Sequence, residues 1–428
     1  MWKFSHWIFS LVAATQRVIE RRFTGAGLLV AGVLVATAAL GADTGQTVAY
    51  RIFSFAAALL LVAFAGTLLQ RNHFSVTRNL PRVATVGEPF QYRVTVRNLQ
   101  GAARDGLTLI DDLADPRPAL TAFRTQLKFP TYRAWKRMIQ KNKVLELSSL
   151  PIPPLLANAS AEITLAGTAL RRGNQHFNGI TVARADPLSL MRGLSVHAAP
   201  ANLLVLPKRY AMPPITLPGS RRHQPGGVAL AASVGDSEEF IGLRDYRPGD
   251  PLQRIHWKSY ARTGEPVVRE HQDEYFERHA LILDTFGDSA KSAAFEEAVS
   301  VAASLAYTVN TQECLLDLMF AGTAPYCYTA GRGQLSTGSL MEVLAGVPLS
   351  DASFEVLRST VIARRGLLTG SICVLLDWNE PRRAFVHELQ MLGVPVLVLL
   401  VSAEVPDERP AWLRVIEPGK VQEGLARL

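Results

Sequence analysis

The sequence predicts a multidomain protein: two transmembrane helices, then a small all-β sandwich, then a doubly wound α/β domain. Three observations carry this. Two uncharged apolar runs stand close together near the amino terminus. Apolar and polar residues begin to alternate near Phe74. From about residue 281, short and almost continuously apolar runs alternate with helical stretches. At 428 residues the chain is long enough for two or three domains, each with its own core. Hydrophobic residues make up 48% of it and charged residues only 19%, a balance that suits partial residence in lipid.

The anchor is assigned to residues 1–71. Residues 24–42 carry no charge and have about the length needed to cross a hydrocarbon core. A short polar link containing Asp43 and Arg51 leads to a second uncharged run, 52–69. A cleaved signal peptide fits poorly, because the first run starts late and the second follows almost at once. Lys3, Arg17, Arg21 and Arg22 precede the pair, and Arg71, Arg78 and Arg82 follow it. The positive-inside rule then places both termini in the cytoplasm, on an inner-membrane protein in contact with its lipid. Trp2, Phe4, Trp7, Ile8 and Leu11 give residues 1–22 the composition of an interfacial amphipathic helix.

Residues 72–210 read as the sandwich. Phe90, Tyr92, Val94 and Val96 occupy alternate positions, and further short strands are separated by Gly, Asn and Pro turns. Within it, residues 117–143 hold eight Lys/Arg, no acid, and interleaved Phe123, Phe129, Tyr132 and Trp135. Such an insertion is either a solvated basic face or a contact with anionic lipid, and nucleic acid ranks behind both. Charge is uneven along the chain. Residues 1–222 hold 27 Lys/Arg against 10 Asp/Glu, a net of +17, and the remainder has a net of −9. Cys314, Cys327 and Cys373 form no cluster, and buried free thiols are expected for Cys314 and Cys373.

The densest polar stretch lies within 220–280. Between Arg221 and Arg278 there are eight Arg and one Lys against ten Asp/Glu, which lacks the positive excess of a phosphate-backbone grip. Nucleic acid is therefore not expected as a partner. Asp250 before Pro251 predicts a helix start, with Leu252 and Ile255 turned inward and Arg254 and Lys258 one turn apart. Glu238, Glu239, Arg244, Asp245, Asp250, Arg254, Arg262 and Glu270 can pair among themselves and hold irregular loops in one shape. His256, beside Trp257, is the one obvious proton-transfer group in the core of the segment. A hydrolase or transferase would use it with Asp245 or Asp250. No nucleophile elbow, phosphate-binding glycine loop or zinc spacing is recognisable, so the chain is not expected to be an enzyme.

The string GDSEEFIGLRDYRPGDPLQRIHWKSYARTGEPVVRE closely resembles the signature of the domain-of-unknown-function 58 family. The matching parts are the acidic-Phe opening, Leu-Arg-x-Tyr, Gly-Asp, Arg-x-Ile-x-Trp and Ala-Arg-Thr-Gly. The two apolar runs fit it as well. The resemblance makes Glu239, Arg244, Tyr246, Asp250, Arg254, Trp257 and Arg262 the partner-binding or structural signature. It also implies neighbours, a MoxR-type AAA+ ATPase and a transglutaminase-like membrane protein.

Residues 281–428 contain the α/β domain, which resembles a von Willebrand factor type A domain. Doubly wound sheets bind ligands at the carboxyl ends of their strands, where Asp284 and Asp377 fall. Carboxylates and a hydroxyl suit Mg²⁺. The resemblance implies an adhesion-type metal site beginning Asp-x-Ser-x-Ser, but Phe286 and Asp288 stand at the two serine positions. Asp284, Asp288 and Asp377 are thus candidates for a degenerate Mg²⁺ site. The alternative is that Asp284 and Asp377 cap helices or pair with arginines of the signature. The function expected is a membrane-anchored adaptor that presents its α/β domain to a cytosolic protein.

Overall fold

The computed structural model describes residues 2–40, 47–70, 73–126, 129, 131–213, 240–250, 252–271, 277–288, 291–309, 314–322, 324–331, 335–406, 410 and 412–428. The chain divides into two compact units, Met1–Leu206 and Pro207–Leu428. The first unit ends four residues before the expected end of the sandwich at 210, and the segments assigned to the signature and the α/β domain lie in the second.

In the first unit, α1 (Trp2–Arg22), α2 (Gly25–Leu40) and α3 (Thr47–Leu69) come first. Val48–Leu69 is long and apolar enough to cross a membrane, whereas the apolar helix Gly25–Ala39 is shorter. Helix α3 starts before residue 52 and takes in Arg51, which the sequence reading placed in the link. Helices α2 and α3 pack together and meet the turn around Leu190. Thr24 fixes that contact: its hydroxyl donates to the Ser189 carbonyl at 2.5 Å and accepts from the Gly27 amide at 3.0 Å. A Cβ at Gly27 would lie 1.9 Å from the Leu190 oxygen, so only glycine admits this approach.

The sandwich contains β1 (Phe74–Asn79), β2 (Val83–Thr85), β3 (Pro89–Asn98), β4 (Leu107–Leu113), β5 (Leu145–Leu147), β6 (Leu150–Ile152), β7 (Ser160–Ala169), β8 (Gly173–Ala185) and β9 (Arg192–Leu206). One sheet has the order β1-β3-β7-β5 and the other β2-β9-β8-β4-β6. Phe90, Tyr92, Val94 and Val96 are all buried, as their alternation predicts, against Leu109, Phe177 and Ile180 from the facing sheet. One polar cluster sits inside this unit. Arg78 bonds to the Asp111 carboxylate, to the Gly179 carbonyl at 2.8 Å, and lies 4.7 Å from the centre of the Phe177 ring. Tyr92 donates to the second Asp111 oxygen at 2.8 Å, and burial raises its own pKa so that it stays a donor.

The basic insertion folds into α4 (Leu120–Gln126) and α5 (Tyr132–Asn142). Its aromatics are not all solvated: Phe123 and Trp135 are fully buried and pack edge to face, with centroids 5.1 Å apart. Trp2, His6 and Phe9 of α1 close over them. Ion pairs from α1, Arg17–Asp115 at 2.9 Å and Arg21–Asp112 at 2.6 Å, hold the helix against the β-rich part of the unit.

The second unit contains β10 (Phe240–Asp245), α6 (Trp257–Thr263), β11 (Val267–His271), β12 (Glu277–Leu283), α7 (Ser292–Thr308), β13 (Cys314–Ala321), β14 (Pro325–Ala330), α8 (Thr337–Gly346), α9 (Glu355–Ala363), β15 (Gly370–Leu375), α10 (Glu380–Met391), β16 (Val396–Val401), β17 (Leu413–Ile416) and α11 (Val421–Leu425). Its six-stranded sheet has the order β14-β13-β12-β15-β16-β17. All pairings are parallel except β13 with β14. Every residue of β13 and β15 is buried, as expected for strands covered on both faces. Helices α9 and α10 supply Leu357, Val361, Phe385 and Leu389 to one core, and α7 contributes a separate buried face. Cys314 and Cys373 are buried free thiols.

Replacing Asp111 with alanine would leave the Arg78 guanidinium buried without its carboxylate. The expected loss is about 3–5 kcal/mol of unfolding free energy, measured by chemical denaturation of the detergent-solubilised chain. Asp111→Asn, which keeps one acceptor, should lose less.

Candidate functional site

The signature forms a two-stranded antiparallel hairpin, with Arg244 opposite Val268 and Asp245 opposite Val267. Such a pair is marginal by itself and needs support. Ile255 and Val268 are buried and bridge one another, which pins the loop across the hairpin. The helix expected after Asp250 is instead a single 3₁₀ turn, Leu252–Arg254, followed by a separate α6. Leu252 is therefore 65% exposed, and Lys258 lies in the second piece. The chain escapes α6 through Gly264, whose φ of 77° is a left-handed cap.

Arg244 and Asp250 form a bidentate fork, both N–O distances being 2.7 Å. The Arg247 amide donates to the same carboxylate at 2.8 Å. These bonds, the Arg244 fork first, hold the Asp250 carboxyl down at about 2. The Tyr246 amide bonds to the Pro266 carbonyl at 3.0 Å and ties the strand ends. Trp257 is 60% exposed, with Tyr260 beside it at a centroid distance of 6.1 Å. Arg262 is exposed on the same helix. Of the self-pairing belt, the Arg244–Asp250 pair is formed. Glu238 and Glu239 lie outside the described residues. His256 Nδ1 meets the Ser259 hydroxyl at 2.6 Å, and Asp250, one of the two acids named as its alternative catalytic partner, is engaged by Arg244.

The strand-end crevice lies between β12 and β15, where the sheet order reverses. Asp284 is fully buried there. One oxygen accepts from Arg382 Nε at 2.6 Å and the Leu376 amide at 3.0 Å. The other accepts from Arg382 Nη2 at 3.1 Å and the Phe286 amide at 3.0 Å. Four donors fill the lone pairs a metal would need. Arg382 is itself held by the Phe286 carbonyl, by Asn379, and over the Phe354 ring. The group that meets the Asp284 carboxylate in the structure is the Arg382 guanidinium. Phe286, at a serine position of the metal motif, is buried edge to face against Phe354 at 5.8 Å.

Asp377 pairs with Lys291 at 2.5 Å. Burial pushes its carboxyl up, but the Lys291 ammonium outweighs this and the net shift is downward. Asp288 is exposed and accepts from the Lys291 amide. Among the described residues, no three His, Cys, Asp or Glu are placed to hold a metal. Both partners, Arg382 and Lys291, come from the α/β region and not from the signature arginines. Sequence reading missed them, although an arginine two positions after the Asn379 and Glu380 helix start was visible.

Two outcomes test this geometry. Arg382→Ala should cost about 3–5 kcal/mol on denaturation because it leaves the buried Asp284 without its ionic partner, whereas replacing both partners with apolar residues should cost less. Arg244→Ala should speed trypsin cleavage after Arg247 by about two- to fivefold, the range of one surface pair. The hairpin's contribution from Asp250 should be whole above the ordinary aspartate value of 3.8 and fade as pH falls towards about 2.

The uncharacterised protein YeaD of Bacillus subtilis (strain 168) is 29% identical over 142 residues, which cover 32% of this chain and 33% of YeaD. The match thus spans a third of that relative's length. Among solved structures, a CARDB domain from Pyrococcus furiosus shares 14% identity over 32% of this chain and 90% of its own, with a TM-score of 0.19. A mutant Salmonella alpha-2-macroglobulin shares 16% over 36% and 8%, with a TM-score of 0.20. Overlaps so slight bear on neither fold nor function. The hairpin and the crevice both fall in the segment with a family match: residues 242–408 are a domain of the family described as "Protein of unknown function DUF58".

Proposed function

We propose that this protein is a membrane-tethered adaptor whose hairpin and α/β domain, of von Willebrand factor A type, face a cytosolic protein partner. One observation carries the reading: Trp257 and Tyr260 stand exposed on α6, in the connection between the hairpin strands, where the Arg244–Asp250 fork ties strand to loop. Tyr, Trp and Arg dominate binding energy at protein interfaces, and a rigid loop loses little entropy on docking. The crevice supports the same view, since Asp284 and Asp377 are both engaged by cations of the chain itself. The tether is the α2–α3 pair, read as two spans with both termini cytoplasmic. The partner that the family resemblance favours is a MoxR-type AAA+ ATPase, with a transglutaminase-like membrane protein as a further neighbour.

In lipid nanodiscs, the full chain should bind such an ATPase. Trp257→Ala with Tyr260→Ala should weaken that binding by roughly tenfold or more. Unchanged binding in the double variant would sink the assignment of this face. A second reading is favoured by the 2.6 Å contact between His256 and Ser259: a hydrolase in which Ser259, and not Asp245 or Asp250, accompanies the imidazole. Turnover of an ester, peptide or phosphoester panel, abolished by His256→Ala in a folded chain, would replace the adaptor with the enzyme.

A further inference from the structure

Helix α1 is apolar on two opposite sides. Trp2, His6 and Phe9, spaced four and three residues apart, face Phe123 and Trp135 of the insertion. On the opposite side Phe4, Trp7, Leu11 and Val18 are 66%, 60%, 51% and 53% exposed. A stripe of aromatic and branched residues more than half exposed over several turns marks a surface that something covers.

We propose that the cover is the bilayer interface: α1 lies in the membrane plane with Phe4, Trp7, Leu11 and Val18 at the acyl boundary. Its chain position favours this occupant. After α1 ends at Arg22, Thr24 starts α2 afresh at Gly25, so the apolar pair begins within two residues. That pair leaves Leu29, Val35, Phe55 and Leu61 outward, and a bilayer that receives them runs past α1. The charge fits as well. Lys3, Arg17, Arg21 and Arg22 lie on α1, and its single acid, Glu20, accepts from Gln16. Anionic headgroups attract such a helix, and Trp and Phe are the side chains the interface favours.

Spanning is the rival for a 21-residue helix, which is about 31 Å long. It is opposed by the ion pairs of Arg17 and Arg21 and by the packing of Trp2 and His6, which hold one side of α1 against carboxylates and a basic insertion that a hydrocarbon core would not admit. In-plane docking uses both sides at once. It would also hold the insertion on the side of α1 away from the acyl boundary, with Arg133, Lys136 and Arg137 exposed on α5 opposite its buried Trp135.

This inference rests on the membrane tether, and the experiment separates the two. The full chain is reconstituted into phosphatidylethanolamine–phosphatidylglycerol liposomes. Bimane is attached at Phe4→Cys, Trp7→Cys, Leu11→Cys or Val18→Cys, and the unsubstituted chain supplies the background from Cys327. Lipid carrying a nitroxide high on its acyl chain should quench these four probes by about twofold or more, and leave Lys136→Cys unquenched. Each replaced side chain is exposed and the Trp2–Phe123 contact is kept, so the helix stays seated. Chains that float with the liposomes while all four probes stay bright would overturn in-plane docking alone. So would disulfides between copies at Trp7→Cys without quenching, which would make a second chain the cover. Chains that fail to float would overturn the tether and this inference together.

Discussion

A buried carboxylate organises the carboxyl end of the central sheet. Asp284 has no access to water, and Arg382 and two backbone amides satisfy both of its oxygens. The amides come from either side of the sheet reversal, Phe286 after β12 and Leu376 after β15, and the guanidinium comes from the first turn of α10. One ionic contact thereby fixes two strand ends and a helix start. Burying an ion pair seldom adds net stability over an apolar substitute, but it penalises any arrangement that parts the pair. Uniqueness of this end of the sheet is what the contact secures.

The same logic recurs at the opposite end of β12. Arg278 meets Asp317 through Nε at 2.7 Å and Nη2 at 3.1 Å, and Thr329 donates to the same carboxylate at 2.7 Å. This triad ties β12, β13 and the antiparallel β14 into one register. Apolar strands slide easily past one another, because one buried leucine resembles the next. Polar contacts at both ends remove that freedom.

In the first unit, apolar surface is divided among three environments. The alternating faces of the sandwich go to a common core, the insertion aromatics share theirs with α1, and α2, α3 and the far side of α1 keep large side chains exposed. The basic insertion therefore belongs with α1 in its packing, although it lies between strands in the sequence.

Periodicity made much of the fold legible. Alternation at Phe90, Tyr92, Val94 and Val96 fixed which face of β3 is inward, and uniform apolar runs marked β13, β15 and β16 as covered on both sides. That the charged belt would pair within itself was readable from residue types, but that Arg244 would take Asp250 was not. What the sequence by itself determined was local: which segments are strands or apolar helices, and which acids and arginines lie close along the chain. Only tertiary structure decided that Asp284 would take Arg382, 98 residues away, that Phe286 would enter the core, and that Trp2 and Trp7 would face opposite ways. The reason is physical: a carboxylate in the sequence looks the same whether a metal, water or an arginine completes it, and burial chooses among them only when distant segments arrive.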